Sequence, residues 1–164
     1  MLFRSADLFE MRDIRFVHLS NQTLVLHQYN RMWRTAWTDG RAIDKDADPR
    51  WYGYSVGKWA DDNTFVITTS NIDDRVWLDN AGRPQSDEIT VEESWHRVDH
   101  DNMELSVTIN DPKFYTKPWV AIDKLKVKLL PDNSDMIEMM CVPSELNAYN
   151  LKHGNLGNGI TGKK

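Results

Sequence analysis

Residues 52–69 read YGYSVGKWADDNTFVITT and decide the fold class of this chain. The runs 52–59 and 64–69 alternate in side-chain character with the two-residue period of a half-buried strand. The polar residues 61–63 between them are typical of a turn that joins two paired strands. This stretch therefore predicts a β-hairpin.

The same two-residue period continues on both sides of that hairpin. Polar turns or loops separate the further strand-like runs, which are 15–20, 23–29, 32–38, 89–98, 103–110, 120–130 and 136–142. In all, the pattern predicts about nine strands and almost no helix. The helical candidates are two short stretches, 4–12 and 144–150.

Strand pairs with tight turns favour pairing between neighbours in the sequence. Such a meander closes into an antiparallel up-and-down barrel of the lipocalin or calycin kind, which leaves no exposed sheet edge. A β-sandwich is the alternative, but it requires some long connections between its two sheets. We expect one barrel domain over residues 1–150, because 164 residues suit a single domain, and a flexible tail over residues 151–164.

Composition excludes several classes of partner. The chain carries 25 acidic and 20 basic residues, for a net charge of −5. It has no basic block that would follow a phosphate backbone, so we expect no nucleic-acid partner. Cys141 stands alone and no Cys/His cluster has zinc-ligand spacing, so neither a metal nor a cofactor is expected.

The N-terminal residues and the lengths of the apolar runs indicate the cellular location. Residues 1–13 are too charged for the apolar core of a signal peptide, and no run approaches membrane-spanning length. The chain as written is therefore expected to be cytoplasmic and to have no membrane partner. A homo-oligomer is compatible with the sequence.

Four motifs carry a resemblance to a group of bacterial proteins. They are WTDGR at 37–41, DPRWYGYSVGKW at 48–59, VWLD at 76–79 and DPKFYTKPW at 111–119. With these motifs in this order, the chain resembles a large group of uncharacterised bacterial proteins common in acidobacteria, over about residues 15–142. The resemblance implies kinship and no particular activity. Members are usually longer and exported, and they tend to have a histidine where this chain has Gln85.

The seven tryptophans are the most informative part of the composition. An indole offers a large apolar surface and one N–H donor, which suits the wall of a ligand cavity. We predict that aromatic side chains line the barrel interior and that acidic residues anchor the ligand. These ligand-binding candidates are Trp33, Trp37, Tyr52, Tyr54, Trp59, Trp77, Tyr115 and Trp119, with Asp87, Glu93 and Asp111.

Ionisable residues on neighbouring predicted strands indicate that the barrel interior could also carry out catalysis. His27 and Tyr29 share one face of a strand, and Arg34 lies on the next run. Buried together with Glu93, such groups would have shifted pKa values and would suit proton transfer. The alternative is a hydrogen-bonded network that only orders the core.

Two irregular segments are further site candidates, 71–87 and 111–119. Loops longer than about 12 residues are uncommon in compact domains and often act as lids or binding segments. Asp79 in the first loop would be a general base if that loop closes over an apolar pocket. The alternative is that its carboxylates cap local turns.

Three functions fit these predictions. The first is a small-molecule-binding barrel whose cavity holds an apolar or aromatic ligand. The second is a cofactor-independent lyase, isomerase or hydrolase in the same cavity, with His27, Tyr29, Arg34 and Asp79 as its catalytic residues. The third is a protein-interaction module. An enclosed cavity with ionisable side chains would favour the enzyme, a dry cavity the binder, and no cavity the module.

Overall fold

The computed structural model describes residues 12–29, 31–44, 46–79 and 81–137, together with residues 144, 148, 151 and 152. The predicted helical stretches, the tail and the ninth strand fall almost entirely outside those residues. Of the ninth strand, Met136 and Ile137 are described, and neither of them is in a strand.

Eight strands form a single sheet. They are β1 (Ile14–His18), β2 (Gln22–His27), β3 (Met32–Trp37), β4 (Tyr54–Asp61), β5 (Thr64–Ser70), β6 (Thr90–Arg97), β7 (Asn102–Asn110) and β8 (Trp119–Lys128). Their order in the sheet follows their order in the chain. The mainly β class is confirmed, and the described strands form one sheet rather than the two layers of a sandwich.

Antiparallel hairpins make up most of the sheet. The hairpin of residues 52–69 is confirmed, because β4 and β5 pair from Tyr54 with Ser70 to Asp61 with Thr64. Side chains alternate along β5, so that Phe65 and Ile67 point into the core. The remaining neighbouring pairs are also antiparallel, with the exception of β3 and β4.

The pair β3–β4 is parallel, which corrects the prediction of an antiparallel up-and-down sheet. The connection 38–53 carries the chain back before β4 begins, so that β4 runs in the same direction as β3. The register of this pair is short, with Ala36 beside Ser55 and Trp37 beside Val56. Before β4 the chain pairs elsewhere, because Arg50 forms a parallel bridge with Ile72.

The sheet curls into a half-barrel. No pairing joins β1 to β8 within the residues that the structure describes, so the closed cylinder of the prediction is not formed there. The inner face packs against the loop between β5 and β6, which was expected to be a lid. Together they form the core of Val25, Ala36, Phe65, Ile67, Ile72, Leu78, Ile89, Val91, Trp95, Leu105, Val107 and Ile109.

Most of the tryptophans face solvent. The exposed fraction is 63% for Trp33, 48% for Trp51, 56% for Trp59 and 59% for Trp77, so the prediction that they line an enclosed interior is wrong. Trp95 is 1% exposed and belongs to the core. The physical reason is that mainly aliphatic side chains, from the sheet and from the loop between β5 and β6, already fill the inner face.

Candidate functional site

A cleft opens beside the short parallel pair of β3 and β4. Trp33, Thr35 and Trp37 alternate along β3 with the buried Arg34 and Ala36, and therefore project on the opposite face. The cleft has a volume of about 190 Å³. Four aromatic residues and two arginines line most of it, namely Trp33, Trp37, Tyr52, Tyr54, Arg34 and Arg50. Four of the predicted ligand-binding residues thus meet at one opening.

An arginine holds the Trp37 ring in place. The guanidinium carbon of Arg41 lies 3.7 Å from the centroid of this ring, within the range of a cation–π contact. Arg41 donates hydrogen bonds to Asp39, which lower the pKa of that carboxyl. Arg41 Nη1 also donates to the hydroxyl of Tyr54 at 3.4 Å. One arginine therefore contacts aromatic residues on both strands of the cleft.

Gly53 determines where Tyr52 and Tyr54 are placed. Its φ of +64° lies in the left-handed region, and a Cβ at this position would stand 2.5 Å from the carbonyl oxygen of Ser70. Glycine alone combines this conformation with such a close approach of backbone. The Tyr52 hydroxyl donates to the sulfur of Met32 at 3.0 Å, which fixes that ring against β3.

Arg50 borders the cleft on a backbone that is held at both ends. Its N–H donates to the carbonyl of Asn71 at 2.9 Å, and its carbonyl accepts from the N–H groups of Gly53 and Asp73, each at 3.0 Å. The guanidinium carbon lies 5.4 Å from the centroid of the Tyr54 ring. The charge of Arg50 is therefore anchored next to an aromatic wall of the cleft.

A buried ion pair joins β3 to β6 next to the cleft. Arg34 donates from Nη1 and Nη2 to the two carboxylate oxygens of Glu93, at 2.6 and 2.9 Å. The indole of Trp95 donates to the same carboxylate at 3.2 Å, and Arg34 Nε donates to His27 Nε2 at 3.4 Å. The predicted cluster of His27, Arg34 and Glu93 is thus brought together, while Tyr29 lies just after β2 and is partly buried.

The pKa of His27 makes stability depend on pH. Burial, followed by the positive charge of Arg34, lowers this pKa from 6.5 to about 4 against the raising effect of Glu93. The unfolded chain titrates near the ordinary value, so between these values it binds more protons than the folded protein does. The free energy of unfolding is therefore expected to fall by about 3 kcal/mol as the pH drops from 6.5 to 4.

Urea unfolding at pH 6.5, 5.5 and 4.5 measures this dependence. The variant His27→Gln has no titrating group at this position and serves as the control. The other titrating groups contribute equally to the pH dependence of the free energy of unfolding in both proteins. The difference between wild type and variant should shrink as the pH falls. A difference that stays constant over this range would show that His27 does not carry the effect.

The two irregular loops that were predicted as site candidates are bound to each other. Asp111 is fully buried and accepts hydrogen bonds from the N–H and the hydroxyl of Ser86 at 2.6 and 2.7 Å. The Tyr115 hydroxyl donates to the carbonyl of Pro84 at 3.0 Å. These contacts join the first loop to the second, so Asp111 and Tyr115 stabilise the fold at a distance from the cleft lining.

The other acidic loop candidates are engaged in ion pairs. Asp87 accepts from Lys113 Nζ at 2.5 Å, and Asp79 is paired with Arg83. Burial tends to raise the pKa of Asp79, but hydrogen bonds from Arg83 lower it overall. A lowered pKa does not suit a general base that works near neutral pH. The guanidinium of Arg83 also lies 5.8 Å from the ring centroid of Trp119.

Two further aromatic candidates lie outside the cleft lining. The Trp59 ring packs against the rings of His18 and Phe65, with centroid separations of 5.8 and 5.1 Å. Trp77 is in the loop between β5 and β6, and its side chain is largely exposed. Neither residue shares the opening that Trp33 and Trp37 border.

Arg50 and Gly53 were not among the predicted site residues. For Gly53 a signal exists, because a glycine between two tyrosines in a strand pattern marks a close approach of backbone. Arg50 has no comparable local signal. Its place beside the cleft depends on the bridge to Ile72, which joins residues far apart in the chain.

Comparison of the chain with protein-family models, curated proteins and solved structures finds no match. The resemblance to the acidobacterial group therefore stays a prediction. Among the described residues, no helix is both long enough and apolar enough to traverse a bilayer. In the same part of the chain, no three acidic, histidine or cysteine side chains converge as ligands for a metal.

Proposed function

We propose that the protein binds a planar aromatic small molecule in the cleft between β3 and β4. The observation that carries this proposal is the convergence of Trp33, Trp37, Tyr52 and Tyr54 on one opening of about 190 Å³. Flat rings pack on indole and phenol faces, and such aromatic pairs contribute about 0.5–1.5 kcal/mol beyond the area that they bury. The supported class of function is small-molecule binding.

The size and exposure of the cleft indicate a compact ligand. Sites for drug-sized molecules have volumes of about 300–1,000 Å³, so 190 Å³ suits one ring or two fused rings. Trp33 is 63% exposed, and a bound ring would remove part of this indole from water. Burial of apolar surface contributes about 25 cal/mol per Å², which supports binding at this position.

Contacts within the protein partly fix the aromatic walls. Arg41 lies over the Trp37 ring, and the Tyr52 hydroxyl is bonded to Met32. Side chains that are already ordered lose less conformational entropy when a ligand arrives. This pre-organisation favours the cleft over a loose surface patch of the same composition.

The proposal keeps the predicted ligand class and changes its location. A lipocalin-like barrel would hold an apolar or aromatic ligand inside a closed cylinder. In this half-barrel, the apolar core residues occupy the inner face, whereas Trp33 and Trp37 belong to the opposite face of β3. We therefore place the ligand beside the strands rather than within the curl of the sheet.

The use of the ionisable groups favours binding over catalysis. Glu93 accepts from Arg34, His27 accepts from the same arginine, and Asp79 is paired with Arg83. Neither His27, Asp79 nor Glu93 lines the cleft. A general acid or base must lie within hydrogen-bond reach of the group that it serves. We therefore propose a binding protein rather than the acid–base enzyme.

Titration calorimetry with indole-3-acetamide and indole-3-acetate tests the proposal. For ligands of about 13 non-hydrogen atoms at about 0.3–0.4 kcal/mol per atom, we expect dissociation constants of about 0.1–1 mM. Replacement of Trp33 by leucine should weaken binding about fivefold or more, because a stacking face is lost.

The variant Trp77→Leu is the matched control. It removes an indole of similar exposure, 59% against 63%, that does not line the cleft. Binding should be unchanged in this variant. If neither probe binds the wild type at several millimolar, or if the two variants bind alike, the cleft is not the ligand site.

A further inference from the structure

The charged residues that line the cleft have one sign. Two arginines line it, Arg34 and Arg50, and among the residues that the structure describes, no aspartate or glutamate contributes to the lining. This is unexpected for a chain with 25 acidic and 20 basic residues. Because both charged residues of this lining are basic, an arginine there that is not neutralised would attract a negatively charged ligand.

The two lining arginines differ in how their charge is used. Both guanidinium Nη atoms of Arg34 donate to Glu93, so this charge is neutralised within the buried pair. Arg50 is exposed, and none of the described residues places a carboxylate within 4 Å of its guanidinium. Arg41 lies close to the cleft as well, but Asp39 neutralises it. Arg50 is therefore the cation of this site that remains available.

The position of Arg50 suits recognition of an acid that also carries a ring. Three backbone hydrogen bonds fix its main chain, and its guanidinium lies 5.4 Å from the Tyr54 ring centroid. A guanidinium offers two parallel N–H donors that match the two oxygens of a carboxylate. A ligand with its ring on the aromatic wall would bring an attached carboxylate toward this donor pair.

We infer that the ligand is an aromatic acid, with its ring between the aromatic side chains of the cleft and its anionic group bound by Arg50. This inference rests on the proposed function and specifies its ligand class. The aromatic residues provide most of the contact area, and Arg50 selects for negative charge.

The matched pair of indole-3-acetate and indole-3-acetamide tests the inference. The two probes have nearly the same size and shape and differ in charge. The acetate is expected to bind the wild type about 5- to 20-fold more tightly, because hydrogen bonds to a charged group are stronger than neutral ones. In Arg50→Gln this preference should disappear, because the paired N–H donors for the carboxylate are lost.

Two further variants separate a specific contact from general charge. Arg50→Lys keeps the charge without the paired donors and should retain part of the preference for the acetate. Arg97→Gln changes the net charge equally at the far hairpin of β6 and β7 and should retain all of it. Thermal melts establish that each variant is folded.

The outcomes distinguish this inference from the proposed function. If both probes bind the wild type equally, the ligand is aromatic but not recognised as an acid. If Arg50→Gln keeps the preference, a group other than Arg50 recognises the acid. In either case only the inference fails. If neither probe binds, the proposed function fails with it. A preference that Arg97→Gln also removes would mean that overall charge selects the acetate, and this result would overturn the role of Arg50.

Discussion

Replacement of Glu93 by alanine is expected to lower the free energy of unfolding by about 3–5 kcal/mol. Glu93 has no solvent exposure and lies between Ile67 and Val107 of the neighbouring strands. Its removal takes away the carboxylate to which both Nη atoms of the buried Arg34 donate, together with the acceptor of the Trp95 indole N–H. A buried unpaired charge is among the most costly defects that a single substitution can introduce. Urea unfolding monitored by circular dichroism measures the loss.

The double variant Arg34→Met/Glu93→Met is the control for this prediction. When both charges are replaced by apolar side chains, neither is left unpaired, so the loss should be clearly smaller than in Glu93→Ala. If Glu93→Ala costs less than about 1 kcal/mol, the ion pair is not the buried element described above. If the double variant costs as much as the single one, the effect comes from packing and not from charge.

Replacement of Gly53 by alanine is expected to lower the free energy of unfolding by about 3–4 kcal/mol. Two costs add up at this position. Alanine at a φ of +64° is strained by about 1–2 kcal/mol, and its Cβ would overlap the carbonyl oxygen of Ser70 at 2.5 Å, which forces a shift of the backbone. Because Tyr52 and Tyr54 flank Gly53, the same variant should also weaken ligand binding in the cleft.

Gly40→Ala separates the two costs. Gly40 has a φ of +82°, and a Cβ placed on it would have no atom within 4 Å. The strain is present there without the overlap, so the loss of stability should be about 1–2 kcal/mol. Equal losses in the two variants, measured by chemical unfolding, would show that the close approach at Gly53 is unimportant.

Local patterns predicted the hairpins of this fold and could not predict how β3 joins β4. Alternation and the polar turn at 61–63 identify β4 and β5, because both signals lie within a few neighbouring residues. The direction of β4 relative to β3 depends on the path of the connection 38–53. Nothing in its charged and proline-containing sequence specifies that path, so the parallel pair was missed.

Alternation along β3 separates its two faces without telling which face is buried. Residue hydrophobicity points to Trp33 and Trp37, yet the face with Arg34 and Ala36 is the buried one. Arg34 is buried because Glu93 on β6 neutralises it, and this partner is 59 residues away in the sequence. A buried charge pair over such a separation has no local signature, so the aromatic residues were assigned to the wrong side.

In the loop between β5 and β6, residues that were expected to belong to a lid or binding segment are part of the core. Its length indicated a lid or a binding segment, but Ile72, Val76 and Leu78 are almost fully buried. These three apolar residues are separated by four and then by two positions, both multiples of the strand period, which is a signal for burial that the polar neighbours obscured. The carboxylates of Asp73 and Asp79 accept hydrogen bonds from backbone N–H groups two residues further on. They therefore cap local turns, which was the alternative interpretation of this loop.

Nuclear magnetic resonance of the indole N–H groups tests the aromatic cleft most directly. Uniform ¹⁵N labelling gives one such signal for each of the seven tryptophans, and single Trp→Phe variants assign them. During titration with indole-3-acetate, we expect the signals of Trp33 and Trp37 to move together with one dissociation constant, while those of Trp77 and Trp95 stay in place. Movement at Trp95 without movement at Trp33 and Trp37 would place the ligand in the half-barrel core and contradict the cleft as the binding site.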